Sequence, residues 1–450
     1  MIFGYAARAS VRPGETLTLH ISASAARFRV IIYRWSGQLV AMQTSAWFAG
    51  ESAPMRDPAL DWHWPAYHFP VPRTWPTGVY LAHLEEPGAA PLHLAQDHGA
   101  VLFVVRGSGR RLLYKIPLAT YNAYNHAGGG CFYDQPPRSA APPGARLSLR
   151  RPGIGIGAPT FGAADFYDSS SARQTFAHWD ARFIGWLLAR GYAPDFCTDL
   201  DIHNEPELCR PYRLLISAGH DEYWSTAMRD GVEAFVAAGG NAAFFSANLC
   251  WWRIHLVDHA AAMVCHQGGP HGAHDHWWPE RPEDTLAGVS YRHGGGWWDG
   301  PRVTAGYTVL DPGHWVFAGT GLRQGDSFGA HTRPPLVGYE CDGAPLASFD
   351  PGRGTATLSP AAGACGTPEN FHLLAACALD ARWQERPQRE AAAGSLHAAT
   401  MGLFTRGGTV FTAGTTDWVQ ALDSNEDPHL SAITHNVIDR LLEQGSHSCN

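Results

Sequence analysis

The sequence predicts a β-sandwich followed by an α/β domain built on a parallel sheet, and three observations carry that prediction. The first hundred residues alternate apolar and polar side chains between Pro-Gly breaks. A β-α-β grammar begins near residue 112. Between them in weight stands "RLLISAGHDEYWSTAMRDGVEAFVAAGGN", residues 213–241, where a continuous apolar run leads through five polar, ionisable or aromatic side chains into an amphipathic pattern. A chain of 450 residues exceeds what one hydrophobic core usually organises. We therefore divide it into a β module, residues 1–110, and an α/β domain, residues 111–450, with a β-rich insert at about 265–360.

Taken in order, Leu17, Leu19 and Ile21, then Val30 and Ile32, repeat every second residue as a half-buried strand requires. "TWPTGVYLAHLE" (74–85) and "GAVLFVVRG" (99–107) add two more strands. "RRLLYKIPL" opens the second part with an apolar strand that runs into the Gly-rich loop of "TYNAYNHAGGG". In "TFAHWDARFIGWLLARGY" (175–192), Phe176, Trp179, Phe183, Trp186 and Leu187 share one helical face, and Gly191 suits the position after the helix. A strand follows in "APDFCT", and "LLISAG" has the unbroken apolar character of a strand buried on both faces. Ser225 can cap the next helix, whose apolar side is Met228, Val232, Phe235 and Val236, before Gly239-Gly240 and the strand "NAAFFSAN". Such a unit predicts a right-handed crossover and a parallel sheet. "GVSYRHGGGWWDGPRVTAGYTVL" reads as hairpin-like strands. "TATLSP", "GTVFTAG" (408–414) and a helix over 430–444 with Ile433, Val437, Leu441 and Leu442 on one side complete the α/β part.

Composition excludes several classes of function. With 45% hydrophobic and 16% charged residues the chain has an ordinary globular balance, and no apolar run nears the roughly 20 residues a membrane helix needs. A formal charge of −8, with no basic cluster beyond "RGSGRR" (106–111), gives no attraction for nucleic acid or an anionic membrane. The nine cysteines contain no C-x-x-C pair, so buried reduced thiols are expected rather than disulfides or a zinc site. No secretory signal pattern opens the sequence, which points to the cytoplasm.

Ligands of open parallel sheets bind beyond the carboxyl ends of the strands, and His220, Asp221, Glu222, Tyr223 and Trp224 fall at that edge. Two readings are open. The acids can simply complement a helix N-terminus while the aromatics pack, or the phenol, carboxyls and imidazole can hold a cation. With neither G-x-S-x-G nor a cysteine, the turn does not suit acyl-enzyme chemistry. Tyr121, Asn122, Tyr124 and Asn125 reach the same edge and are candidates for the substrate pocket. A second metal-binding composition lies in the histidines at 255, 259, 266, 271, 274 and 276. His255 and His259 have helical spacing, but "HLVDH" lacks the glutamate of a zinc-protease helix.

The elbow segment through "NAAFFSAN", together with "TYNAYNHAGG" (120–129), "RPEDTLAGVSY" (281–291), "GTVFTAGTTDW" (408–418), "ITHNVIDRLL" (433–442), "GYAARASVRPGE" and "WPTGVYLAHL", resembles the N,N-dimethylformamidase large (beta) subunit family, in family order over nearly the whole chain. The resemblance implies a β-sandwich followed by a glutamine-amidotransferase-like domain. It also implies a mononuclear iron, Fe3+, held by two tyrosines and a glutamate, and hydrolysis of a formamide C–N bond. Tyr223 matches one tyrosine ligand, Glu283 of "RPE" the glutamate, and Asp417 of "TTDW" an acid near the metal. The second tyrosine is expected early in the preceding helix, where this chain reads Trp179-Asp180-Ala181. One phenolate fewer leaves less ligand charge, which suits a divalent ion such as Zn2+. The catalytic candidates are Asp417 and Glu222, to take a proton from water and return it to the departing amine, with His220 and Asp221 beside them. The implied partners are a small-molecule amide and a separate small subunit or a second copy. Hydrolysis of another substrate, and a non-catalytic carbohydrate- or partner-binding protein with a degenerate metal site, stay open.

Overall fold

Alternation builds the first hundred residues. In a computed structural model that describes residues 1–95, 99–133, 145–156, 165–268, 274–298, 300–302, 306–379, 383 and 394–443, Leu17, Leu19 and Ile21 of the strand Thr16–Ala23 and Val30 and Ile32 of Arg27–Trp35 are buried in one core. Two sheets share that core. One runs Ile2–Ala6, Thr16–Ala23, Ala66–Pro70, and the other Ser10–Val11, Val101–Val105, Gly78–Glu85, Arg27–Trp35, Leu39–Thr44. Gly78–Glu85 and Val101–Val105 are apolar on both faces for a reason. Tyr80, Ala82, Val101 and Phe103 face the core between the two sheets, while Val79, Leu81, Leu102 and Val104 join the core of the α/β part.

The α/β part is organised by a nine-stranded sheet in the order Asp195–Thr198, Leu112–Ile116, Leu214–His220, Asn241–Ala247, Gly408–Thr412, Ala398–Arg406, His372–Ala378, Tyr307–Val309, Ser327–Phe328. The first five strands pair in parallel and the last four run antiparallel to their neighbours. All seven residues of Leu214–His220 are buried, as its unbroken apolar character predicts. Leu214, Ile216 and Ala218 pack with helices Asp180–Ala189, Trp418–Ser424 and Pro428–Glu443. Leu215, with Ala242 and Phe244 of the next strand, packs with helix Thr226–Ala237 on the opposite face. The predicted punctuation is present: Ser225 Oγ accepts from Met228 N, and Gly191 and Gly239 take positive φ of 84° and 96° after their helices.

Local readings fail in four places, each for a physical reason. Residues 118–124, read as the start of a loop, form a helix capped into the sheet by the hydrogen bond from Ala119 N to Asp199 Oδ2. The elbow does not turn straight into a helix. Tyr223–Ser225 first pairs in parallel with Trp252–Val257, a strand that also carries His255 and ends at Asp258, His259 and Ala260, all at positive φ, so the helical spacing of His255 and His259 is not used. Residues 291–294 are a helical turn, while Tyr307–Val309 and Ser327–Phe328 extend the edge of the large sheet. Thr355–Leu358 pairs with Leu346–Asp350 in a separate ribbon instead of joining that sheet. His271 lies outside the described residues. Among the described residues the eight cysteines are free thiols, and no helix is long and apolar enough to cross a membrane.

Candidate active site

The strand Leu214–His220 delivers the elbow to the carboxyl edge of the parallel strands. Gly219, at φ 73°, lies so near Trp179 that a Cβ there would stand 2.7 Å from the indole's own Cβ, so only glycine lets helix and strand meet. Thr120 Oγ1 then accepts from the backbone N of Glu222 at 3.0 Å and of Tyr223 at 3.2 Å, fixing both residues against helix Leu118–Tyr124.

Glu222 is the hub. Tyr124 donates to its Oε2 at 2.8 Å, and the Tyr133 hydroxyl lies 3.0 and 3.1 Å from its two oxygens. Tyr133 also sits 2.8 Å from the Tyr124 hydroxyl and 2.6 Å from that of Tyr223. Tyr223 is fully buried, and the Gln267 amide lies 2.6 Å from its hydroxyl. With its oxygen toward Tyr223, that amide also accepts from Trp252 Nε1 at 3.2 Å and donates to Phe132 O at 3.0 Å. Beside Glu222 stands His220. Its Nδ1 is 2.7 Å from Gln174 Oε1, and its Nε2 is 2.8 Å from Glu340 Oε2 and 3.5 Å from Glu222 Oε2. Nε2 also lies 3.2 Å from Asn248 Nδ2, so it is the two facing carboxylates that favour the imidazolium form. Burial opposes that charge, but Glu340 and Glu222 outweigh it and hold His220 above its ordinary pKa. Burial raises Glu222, the Glu340 carboxylate adds to the effect, and His220 and the phenols pull the other way. Burial, reinforced by Glu222, also raises all three phenols.

Hydroxyl protons are too few for this arrangement. Tyr124–Glu222, Tyr133–Tyr124, Tyr133–Tyr223 and the two Tyr133–Glu222 approaches make five O···O contacts of 2.6–3.1 Å, and three phenols bring three protons. Protonating Glu222 adds one more. A pocket with more converging oxygen lone pairs than protons suits a hard cation, and phenolate with carboxylate is a donor set for one. The residues present therefore fit the iron that the family resemblance implies, with the phenols and Glu222 as its donors.

The other predicted residues lie around this cluster in different roles. Asp221 is clipped by Lys115 Nζ at 2.5 Å, Ser217 Oγ at 2.5 Å and Trp224 Nε1 at 3.0 Å, and Lys115 rests 3.9 Å from the Trp224 ring centroid. Asp417 Oδ2 is taken by Arg302 at 2.8 Å and the backbone N of Tyr339 at 3.0 Å. Glu283 is buried with Ser290 Oγ at 2.9 Å and Arg292 Nε at 3.6 Å. Burial pushes it up to about 7, and among the described residues its hydrogen bonds reach none of the Tyr223 group. Of the four pocket candidates only Tyr124 meets Glu222. Tyr121 donates to Asp180, while Asn122 Nδ2 and Asn125 Nδ2 donate to Ser148 O at 3.3 Å and Pro152 O at 2.9 Å.

Sequence reasoning missed Tyr133, Gln267, Glu340 and Asn248. Tyr133 lies nine residues after Tyr124 and could have been marked by that proximity. Glu340 could not, because it reaches His220 through pairing of its segment with Thr415 and Thr416. Asn248, at φ 51°, donates to Glu340 Oε2 at 3.2 Å while its backbone N donates to Asp342 Oδ1 at 2.9 Å.

Fold and site together define an α/β protein with β-rich additions and an oxygen-rich cluster of phenols and a carboxylate at the carboxyl edge of its parallel strands. Residues 29–431 match the family described as N,N-dimethylformamidase beta subunit-like, C-terminal, and the chain belongs to that family. The N,N-dimethylformamidase beta subunit of Alcaligenes sp is 23% identical over 300 residues, a span covering 59% of this chain and 36% of that protein. The N,N-dimethylformamidase beta subunit of Paracoccus aminophilus is 30% identical over 78 residues, covering 17% and 10% respectively. The chain thus aligns with well under half the length of these relatives.

Proposed function

We propose that this chain hydrolyses the C–N bond of a small formamide or amide, with Glu222, Tyr223, Tyr124 and Tyr133 as a metal centre and His220 and Glu340 as its proton-handling pair. The surplus of oxygen lone pairs over protons around Tyr133, in a member of a dimethylformamidase-like family, carries this reading. In it Tyr133 supplies the second phenol that Ala181 cannot, and Glu222 supplies the carboxylate for which Glu283 is the sequence match. The occupant we favour is Fe3+, with Zn2+ as the alternative. Once bound, such an ion acidifies water and polarises a carbonyl.

The chain's own residues account for the protons. Glu340 is assigned to accept a proton from the attacking water. His220, between Glu340 and the metal-side Glu222, is held protonated, so it can donate to the amide nitrogen as the C–N bond breaks. Water thus contributes its hydroxyl to the acyl carbon and its proton to the amine, and the pair returns to its starting state. Gln174 fixes the imidazole, and Asn248 fixes Glu340. Asp417 and Asp221, each already ion-paired, are assigned to supporting the frame. We also read the parallel strands with helices on both faces as a glutamine-amidotransferase-like core, and the cytoplasm as the place of action. Because the relatives are named as beta subunits, a smaller partner subunit belongs in the test.

The test is amine release from N,N-dimethylformamide, formamide and acetamide by purified chain, alone and with co-expressed neighbouring subunits, alongside metal analysis. We expect activity in proportion to bound metal. Metal-replete protein that releases no amine under any of these conditions would sink the proposal.

A further inference from the structure

We infer that His255, His266 and Asp275 form a second metal site, separate from the tyrosine cluster and of the class that takes a borderline divalent ion such as Zn2+. Each offers one donor atom, and the three atoms lie within 4.8 Å of one another. His255 Nε2 is 3.2 Å from Asp275 Oδ1, and His266 Nδ1 is 2.6 Å from Asp275 Oδ2. Zn–N and Zn–O bonds of about 2.0–2.2 Å put neighbouring tetrahedral ligands about 3.3 Å apart. Rotation of the half-exposed His255 imidazole covers the remaining adjustment. Two imidazoles and one carboxylate leave a fourth position for water, a donor set suited to Zn2+, Co2+, Ni2+ or Cu2+.

The backbone holds these donors in place before any ion arrives. His255 lies on Trp252–Val257, paired in antiparallel register with Val264 of Ala262–Cys265, and His266 follows that strand directly. Asp275 is pinned by three main-chain bonds: its N donates to His266 O at 2.8 Å, its O accepts from Arg253 N at 2.7 Å, and its carboxylate accepts from His266 N at 2.8 Å. The ordering cost of assembling the triad is thus already met by the ribbon. An ion here would clamp that ribbon next to Gln267, the residue against the Tyr223 hydroxyl.

The site is independent of the amidase proposal, and the test separates them. Full-length chain is stripped with chelator and titrated with Zn2+ in competition with a chromophoric chelator, then with Co2+ read by its visible d–d bands, in parent, Tyr223→Phe, His255→Asn and Asp275→Asn forms. His255 is 48% exposed on its side chain, so its substitution tests the donor without opening the core, and circular dichroism checks each fold. We expect one equivalent of Zn2+ to persist in Tyr223→Phe, and its affinity and the Co2+ bands to fall at least about 100-fold in His255→Asn and Asp275→Asn. Equal Zn2+ binding by the parent and His255→Asn, or no Co2+ bands in the folded parent, would overturn the inference.

Discussion

Two phenol–carboxylate centres grow from one seven-residue helix, Leu118–Tyr124, and they differ in proton count. Tyr121 and Tyr114 each donate to one oxygen of Asp180, so each carboxyl oxygen is met by one phenol. Three residues further along, Tyr124 enters a cluster in which Tyr133, Tyr223 and Glu222 crowd more oxygens than there are protons to separate them. Both centres are buried apart from the half-buried Tyr133, and both use the same side-chain types. The difference teaches that the same side-chain types can build a donor-matched network or an acceptor-rich one, and the proposed site is the acceptor-rich one.

The comparison can be broken most forcefully at the two carboxylates. Glu222→Gln should abolish metal retention and lower amide hydrolysis by about 10²–10⁴-fold, measured by amine release and metal analysis, whereas Asp180→Asn should keep its metal. Next in size, Tyr133→Phe should weaken metal binding by about 10–100-fold in a competition titration, with Tyr121→Phe unchanged. Stability should then move the opposite way. Tyr121→Phe leaves an Asp180 oxygen buried without its donor and should cost about 1–3 kcal/mol in urea unfolding. Metal-free Glu222→Gln brings two protons into an acceptor-rich pocket and should be neutral or slightly stabilising.

The smallest effect is a pH slope. Burial, against the pull of its two phenols, raises Asp180 to about 7, so the native state keeps a proton that the unfolded chain gives up near pH 4. Its stabilising contribution is complete below the unfolded value and is lost as pH rises toward about 7, at up to about 1.4 kcal/mol per pH unit. Asp180→Asn should remove as much as one proton from that slope, measured by urea unfolding across pH 4.5 to about 7.5.

What the sequence revealed and hid follows from range. Leu214–His220, the Ser225 cap and the apolar faces of both flanking helices were legible because burial and capping act within a few residues. Glu222 and Tyr223 could be singled out as candidates because they follow directly on a buried strand. The helix at 118–124 was obscured by the Asn and Gly residues that follow it, and its stability comes from Asp199, about 80 residues away. His255 could not be paired with His266 and Asp275 until the ribbon register brought them together. Glu340 reaches His220 from about 120 residues away, and in the proposed site the phenol absent at Ala181 comes from Tyr133, on a different segment.

The central claim is that the elbow cluster is a cation site built from phenols, and the visible spectrum of the iron-loaded chain tests it most directly. We predict a phenolate-to-iron charge-transfer band that weakens or shifts in Tyr133→Phe and is unaltered in Tyr121→Phe. An iron-loaded chain without colour, or a band indifferent to Tyr133→Phe, would contradict it.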